Sequence, residues 1–205
     1  MSRLIYGVGE NDSDYKITQY KNGSRVCCVY YTRWHGILRR CYSEKFHNYN
    51  PCYIGCEISK EWTKLSIFKM WMESQDWVNK ELDKDLLFPG NKIYGSDKCI
   101  FIPHNINSFL TYGTSKINKF PLGCHHKKST NKFISRIEIN NKKIILGSYS
   151  NPMDAHRAWQ RQKIKSINEF ISTENDSRLN QALTRISNNL LYDYNNNLET
   201  KIINR

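Results

Sequence analysis

Residues 132–159, KFISRIEINNKKIILGSYSNPMDAHRAW, decide the fold. Phe133, Ser135, Ile137 and Ile139 alternate with Ile134, Arg136 and Glu138, which is the period of a half-buried strand. Asn140 and Asn141 follow, and asparagine tolerates the left-handed backbone that a tight hairpin needs, so KKIILGSY is expected to return antiparallel to the first strand. Ser150 or Asn151 then caps a helix with Pro152 in its first turn, and Ala155, Ala158 and Trp159 form a small-residue face that can lie close on a sheet. Upstream, PLGCHH (121–126) supplies a third strand. The expectation is a three-stranded antiparallel sheet packed on one helix, continued through Ile164, Ile167 and Phe170.

Charge marks the same region. Residues 113–165 hold twelve bases and two acids, giving +10 of a total of +12, whereas residues 46–112 and 166–205 are each near neutral. A field concentrated in about fifty residues points to a polyanion, because binding to phosphates releases condensed counterions. Lys127, Lys128, Lys132, Arg136, Lys142 and Lys143 cluster on the expected strands and turns, with His125 and His126 beside them. A ribbon of two or three strands fits the major groove, so double-stranded DNA is the expected partner.

The first hundred residues have a different texture. YYTRWHGILRRCY (30–42) places Tyr30, Trp34, Leu38 and Cys41 at helical spacing, with Arg39 and Arg40 on other faces as further candidates for DNA contact. EWTKLSIFKMWME repeats the pattern with Trp62, Leu65, Phe68 and Met72, which predicts a helix over 60–74. NYNPCYIGCEIS between them is expected to be a loop with a short extended piece. From Leu82 the order becomes strand (LDKDLLF), polar turn (PGNKIYGSD), strand (CIFIP) and short helix (HNINSFL). The weakly patterned TYGTSKINK is taken as a linker, with a domain boundary near residue 115. Residues 175–205 carry a marginal helix around Leu179, Ala182, Leu183 and Ile186, then a tract, YNNNLETKIINR, expected to fray.

Several function classes drop out. No apolar run approaches the roughly 18 residues that cross a bilayer, and Met1–Asp14 lacks the order of a secretory signal, so a cytoplasmic protein with no membrane partner is expected. Seven cysteines, an odd number, are expected to be reduced thiols packed in the core. Structural zinc is not expected: Cys52 and Cys56 make one close pair, and Cys41 and Cys99 lie far from it in sequence. Gly7 and Gly9 form a G-x-G fragment without a third glycine or a following helix, so nucleotide binding has no support.

The segment Pro121–Ala158 resembles the Apetala-two/ethylene-response-factor DNA-binding domain, through Gly123, Lys132 with Phe133, Leu146, Gly147, Tyr149, Ala155 and Ala158. The resemblance implies three strands on one helix, with the sheet set in the DNA major groove. His125 and His126 stand where that family usually has arginines, so its base preference does not carry over. Residues 6–110 resemble the phage-encoded HNH endonucleases that carry such a domain at their C-terminal end, in the stretches YGVGENDSDY, WHGILRRCYSEKF, PCYIGCEISKEW, FKMWMESQDW and LDKDLLFPGNKIYGSDKCIFIPHNIN.

That second resemblance implies an α+β chain: an HNH-like ββα-metal module with flanking helices at 1–114, the DNA-binding domain at 115–172, and an Asn-rich helix and tail at 173–205. It also implies a site. Asp83 takes the place of the Asp of the usual Asp-His pair and Asn107 that of the final ligand, with Mg2+ or Mn2+ as the metal. Lys84 stands where the histidine belongs, and Lys98 where the middle asparagine belongs. A lysine with an ordinary pKa of about 10.4 is protonated at neutral pH and accepts no proton unless burial lowers that value, though it can hold a phosphate. Asp85 and His104 are alternative bases, with His35 and His47 weaker ones; Asn91 and Lys92, in the Gly-Asn-Lys turn, are read as turn formers or DNA contacts. The expected activity is a homing-like endonuclease in the host cytosol, and the alternative is a DNA-binding protein whose nuclease half has lapsed into a scaffold. A homodimer through the C-terminal helices is a third, weaker expectation.

Overall fold

The computed structural model describes residues 4–111 and 119–203, so residues 112–118 of the expected linker and the boundary near residue 115 lie outside the described residues. The protein is α+β, and it divides into two compact units, Met1–Phe101 and Ile102–Arg205. Among the described residues, no helix is long and apolar enough to cross a membrane.

The first unit opens with a hairpin of β1 (Thr18–Lys21) and β2 (Ser24–Cys27) and continues into α1 (Val29–Tyr42). Trp34, Ile37, Leu38 and Cys41 recur along α1 at the spacing of one helix face, and all four are buried. Ser43 ends that helix and caps the next, α2 (Glu44–Tyr49), by accepting the Phe46 N–H at 3.2 Å. The segment expected to be a loop with a short extended piece follows from the end of α2 at Tyr49, and its extended piece is β3 (Glu57–Ile58). The helix expected over 60–74 begins as a single 3-10 turn, Glu61–Thr63, before α3 (Leu65–Glu73). Trp62 sits at the centre, edge-on to Phe68 at 5.0 Å, and its carbonyl accepts the Trp34 indole N–H at 2.7 Å. Gly9 rests on this core so closely that a Cβ there would fall 2.3 Å from Leu38 Cδ1, which gives the G-x-G fragment a packing role.

The expected strand LDKDLLF is shorter and starts earlier, as β4 (Lys80–Asp83). It stops at Asp83 because Oδ1 of that residue accepts the backbone N–H groups of Asp85 and Leu86, at 2.7 and 2.8 Å, turning the chain. The following turn region contains β5 (Ile93–Tyr94), parallel to β3. Then come β6 (Ile100–Pro103), within which the chain passes to the second unit, and α4 (His104–Thr111), so strand, loop, strand and helix follow in the expected order. Cys41, Cys56 and Cys99 are buried free thiols as expected; Cys52 is exposed, against expectation, because it lies in the 3-10 turn Pro51–Tyr53 at the surface.

In the second unit β7 (Cys124–Lys127), β8 (Lys132–Ile139) and β9 (Lys142–Tyr149) form an antiparallel sheet in that order. Asn140 and Asn141 make the turn, with φ of 50° and 61°. α5 (Pro152–Thr173) is capped by Asn151, whose Oδ1 accepts the Asp154 N–H at 2.9 Å, and it packs against all three strands. α4 also belongs to this unit: the buried Lys163 of α5 donates to the Phe109 carbonyl and sits 3.6 Å from that ring's centroid. α6 (Ser177–Asn195) covers α5 with Leu179, Ala182, Leu183, Ile186 and Leu190. The tract expected to fray packs back on this pair, burying Thr200 and Ile203.

Candidate functional site

Two places gather the candidate residues, and each lies within one unit. The first is the turn after β4. Asp83 is buried, with Oδ1 held by two amides, which fixes the orientation of the carboxylate. Lys84 is buried too, and its ammonium donates to the Asp85 carboxylate and, at 2.7 Å, to the Asn91 carbonyl. Asn91 closes the loop from the other side: its amide donates to the Lys84 and Ile93 carbonyls at 2.8 and 2.7 Å and accepts the Ile93 N–H at 3.0 Å. Its side chain is thus engaged in holding the turn. Lys92 donates to the carbonyls of Cys52 and Ile54, at 2.8 and 3.3 Å.

Three buried thiols, Cys41, Cys56 and Cys99, feel the charge of Lys84. Burial pushes Cys41 and Cys99 up to about 12 and raises Cys56 as well, against the pull of the nearby ammonium. These thiols stay protonated at neutral pH and serve as packing. Among the described residues, no group of three or more His, Cys, Asp and Glu side chains is placed to hold a metal. Lys98 pairs with Asp97 at 2.9 Å and lies over the Phe88 ring. Asn107 and His104 are on α4 in the second unit, Asn107 half-buried and His104 exposed. Arg39 stacks on Phe46, and Arg40 lies near Tyr53 and donates to Tyr94.

The second place is the sheet. Cross-strand partners share a face, and one face, with Cys124, Ser135 and Ile137 buried, meets α5. The opposite face carries Lys127 beside Lys132, His125 beside Ile134 and Ser148, Arg136 beside Ile145, and Glu138 beside Lys143. The Arg136 guanidinium lies 3.2 Å from His125 Nε2, and burial together with that charge holds the His125 pKa below its ordinary value. The candidates divide accordingly. His125, Lys127, Lys132, Arg136 and Lys143 are brought together on the outer face. His126 is on the other, its ring 4.9 Å from Phe133 and its Nε2 3.0 Å from Asn131 Oδ1. Lys128 sits in the turn before β8, and Lys142 is at the hairpin end opposite Ile139.

Comparison with family models, curated proteins and solved structures finds no match. The site is read from its own geometry.

Sequence reasoning missed Ile145 and Ser148. Ser135 pairs with Gly147 but Arg136 pairs with Ile145, so Leu146 is an extra residue in β9 and the alternation changes sense there. No residue pattern announces such a bulge; only the cross-strand register does.

Proposed function

We propose that the protein binds double-stranded DNA with the outer face of β7–β9 and acts as an HNH-type endonuclease, in which Asp83 is a ligand of Mg2+ or Mn2+. One observation carries the binding half: four bases, Lys127, Lys132, Arg136 and Lys143, stand on the solvent-facing side of a sheet whose other side is filled by α5. Such a surface supplies phosphate contacts and, through Arg136, a planar donor for base edges. The metal, when bound, stabilises charge on the scissile phosphate and leaving oxygen. Asp83 contributes an oriented carboxylate, since two backbone amides fix one of its oxygens. Lys84 stays in the turn as a positive charge paired with Asp85.

A second reading, DNA binding without cleavage, is favoured by that same Lys84. It replaces the usual histidine and is committed to Asp85 and the Asn91 carbonyl, the arrangement of a scaffold. Nicking of a supercoiled plasmid library with Mg2+, Mn2+ or chelator separates the two. Metal-dependent nicks lost in both Asp83→Ala and Asp83→Asn establish the nuclease. Asp83→Asn keeps the turn's acceptor oxygen, whereas Asp83→Ala forfeits roughly 1 kcal/mol of folding stability, so loss of activity in the asparagine variant is chemical. Salt-sensitive binding without nicks assigns the scaffold, and absence of DNA binding overturns both readings.

A further inference from the structure

The outer face of the sheet is not uniformly basic. Ile145 is 70% exposed at its middle, directly across from Arg136, with Ile134 on the neighbouring strand in the next row. A strand read by strict alternation from Ser148, an outer residue, would turn residue 145 inward; the extra residue at Leu146 turns it out. A bulge that re-aims one large apolar side chain into water, between a guanidinium and a serine, places it where a partner is met.

Resting on the DNA-binding reading above, we propose that Ile145 is a specificity residue that contacts the 5-methyl group of thymine. The charge around it, from Lys127, Lys132, Arg136 and Lys143, selects a polyanion rather than an apolar protein surface as the occupant. In the major groove of DNA the thymine methyl is the apolar feature on the base edges, and apolar side chains read it. Arg136, standing beside Ile145, offers the donor pair that suits guanine. The face therefore joins one methyl reader and one guanine reader on adjacent strands, with lysines at both ends to hold the backbone.

The test enriches duplexes from a randomised pool with the full chain, then resynthesises the enriched duplex with uracil in place of each thymine in turn. At one or two positions, loss of the methyl weakens wild-type binding roughly fourfold, the size of one buried methyl group. Ile145→Ala, a change at an exposed position, brings that thymine-to-uracil ratio to about one, whereas Lys132→Ala weakens binding to both duplexes alike. Three results overturn the inference alone. One is salt-sensitive binding that does not distinguish uracil from thymine, which leaves the DNA-binding reading standing. Another is an Ile145→Ala variant that keeps the ratio. The third is a DNA-free dimer that Ile145→Ala dissociates, which assigns the patch to a second copy of the chain. A chain that binds no DNA ends both this inference and the reading under it.

Discussion

At Gly123 the space for a side chain is already taken. A Cβ there would lie 2.1 Å from Trp159 Cγ, and the backbone has φ of 76°, a conformation that favours glycine. Gly123→Ala is expected to push α5 off the sheet and to cost about 2–4 kcal/mol, summing an overpacked core and a strained backbone. The urea midpoint of the full chain measures it, and an unchanged midpoint would show that α5 is not seated as described. The residue was visible in the sequence as part of the resemblance, but its physical reason was not, because Trp159 lies far along the chain. Asp83 was half legible in the same way. Its carboxylate was marked as a candidate ligand, while its hold on the amides of Asp85 and Leu86 ends a strand that the apolar run Leu86–Phe88 had suggested would continue.

Elements with strong periodicity were legible, and those with none were not. β8 spans Lys132–Ile139, as its alternation predicts, and α1 and α3 carry the expected apolar stripes. The hairpin of β1 and β2 was missed although Asn22-Gly23, with φ of 51° and 75°, is a strong turn signal; its strands alternate too little to read as half-buried. The β8–β9 turn gives a direct test. Asn141 has φ of 61°, which a β-branched side chain resists, so Asn141→Val is expected to cost roughly 1–2 kcal/mol, whereas Asn141→Gly is expected to cost nothing. Thermal unfolding of the two variants checks the order. Equal melting temperatures would mean that the register is set by side-chain packing rather than by the turn.

Across the whole chain, the hardest feature to foresee was the return of the last residues onto α5. The asparagine-rich tract has no periodicity, and what binds it is one buried histidine more than thirty residues upstream. His156 Nδ1 donates to the Leu122 carbonyl at 2.8 Å, and its Nε2 accepts the Thr200 N–H at 3.0 Å, so the ring is neutral and links the segment before β7 to the tail. Gln160 donates to the Leu198 carbonyl and the Thr200 hydroxyl, and that hydroxyl donates to Asp193, closing the network. Burial holds the His156 pKa below its ordinary value, with Arg157 acting in the same direction and the Leu122 carbonyl, Glu199 and Asp193 opposing it. A histidine whose folded pKa is depressed contributes stability that is complete above the unfolded value of about 6.5 and is lost as pH falls through the folded one. Protonation would also set two N–H groups against each other at Thr200. The urea midpoint is therefore expected to fall between pH 7.5 and pH 5, as the unfolding free energy drops by at most about 1.4 kcal/mol per pH unit for this one proton. His35 and His125 are depressed as well and act in the same sense, so the quantity to read is a difference in slope. His156→Gln, less stable at pH 7.5 but uncharged throughout, should show the shallower loss. An equal slope in the two proteins would mean that the tail is held by Gln160 and by burial of Ile203, with no contribution from the histidine's charge state.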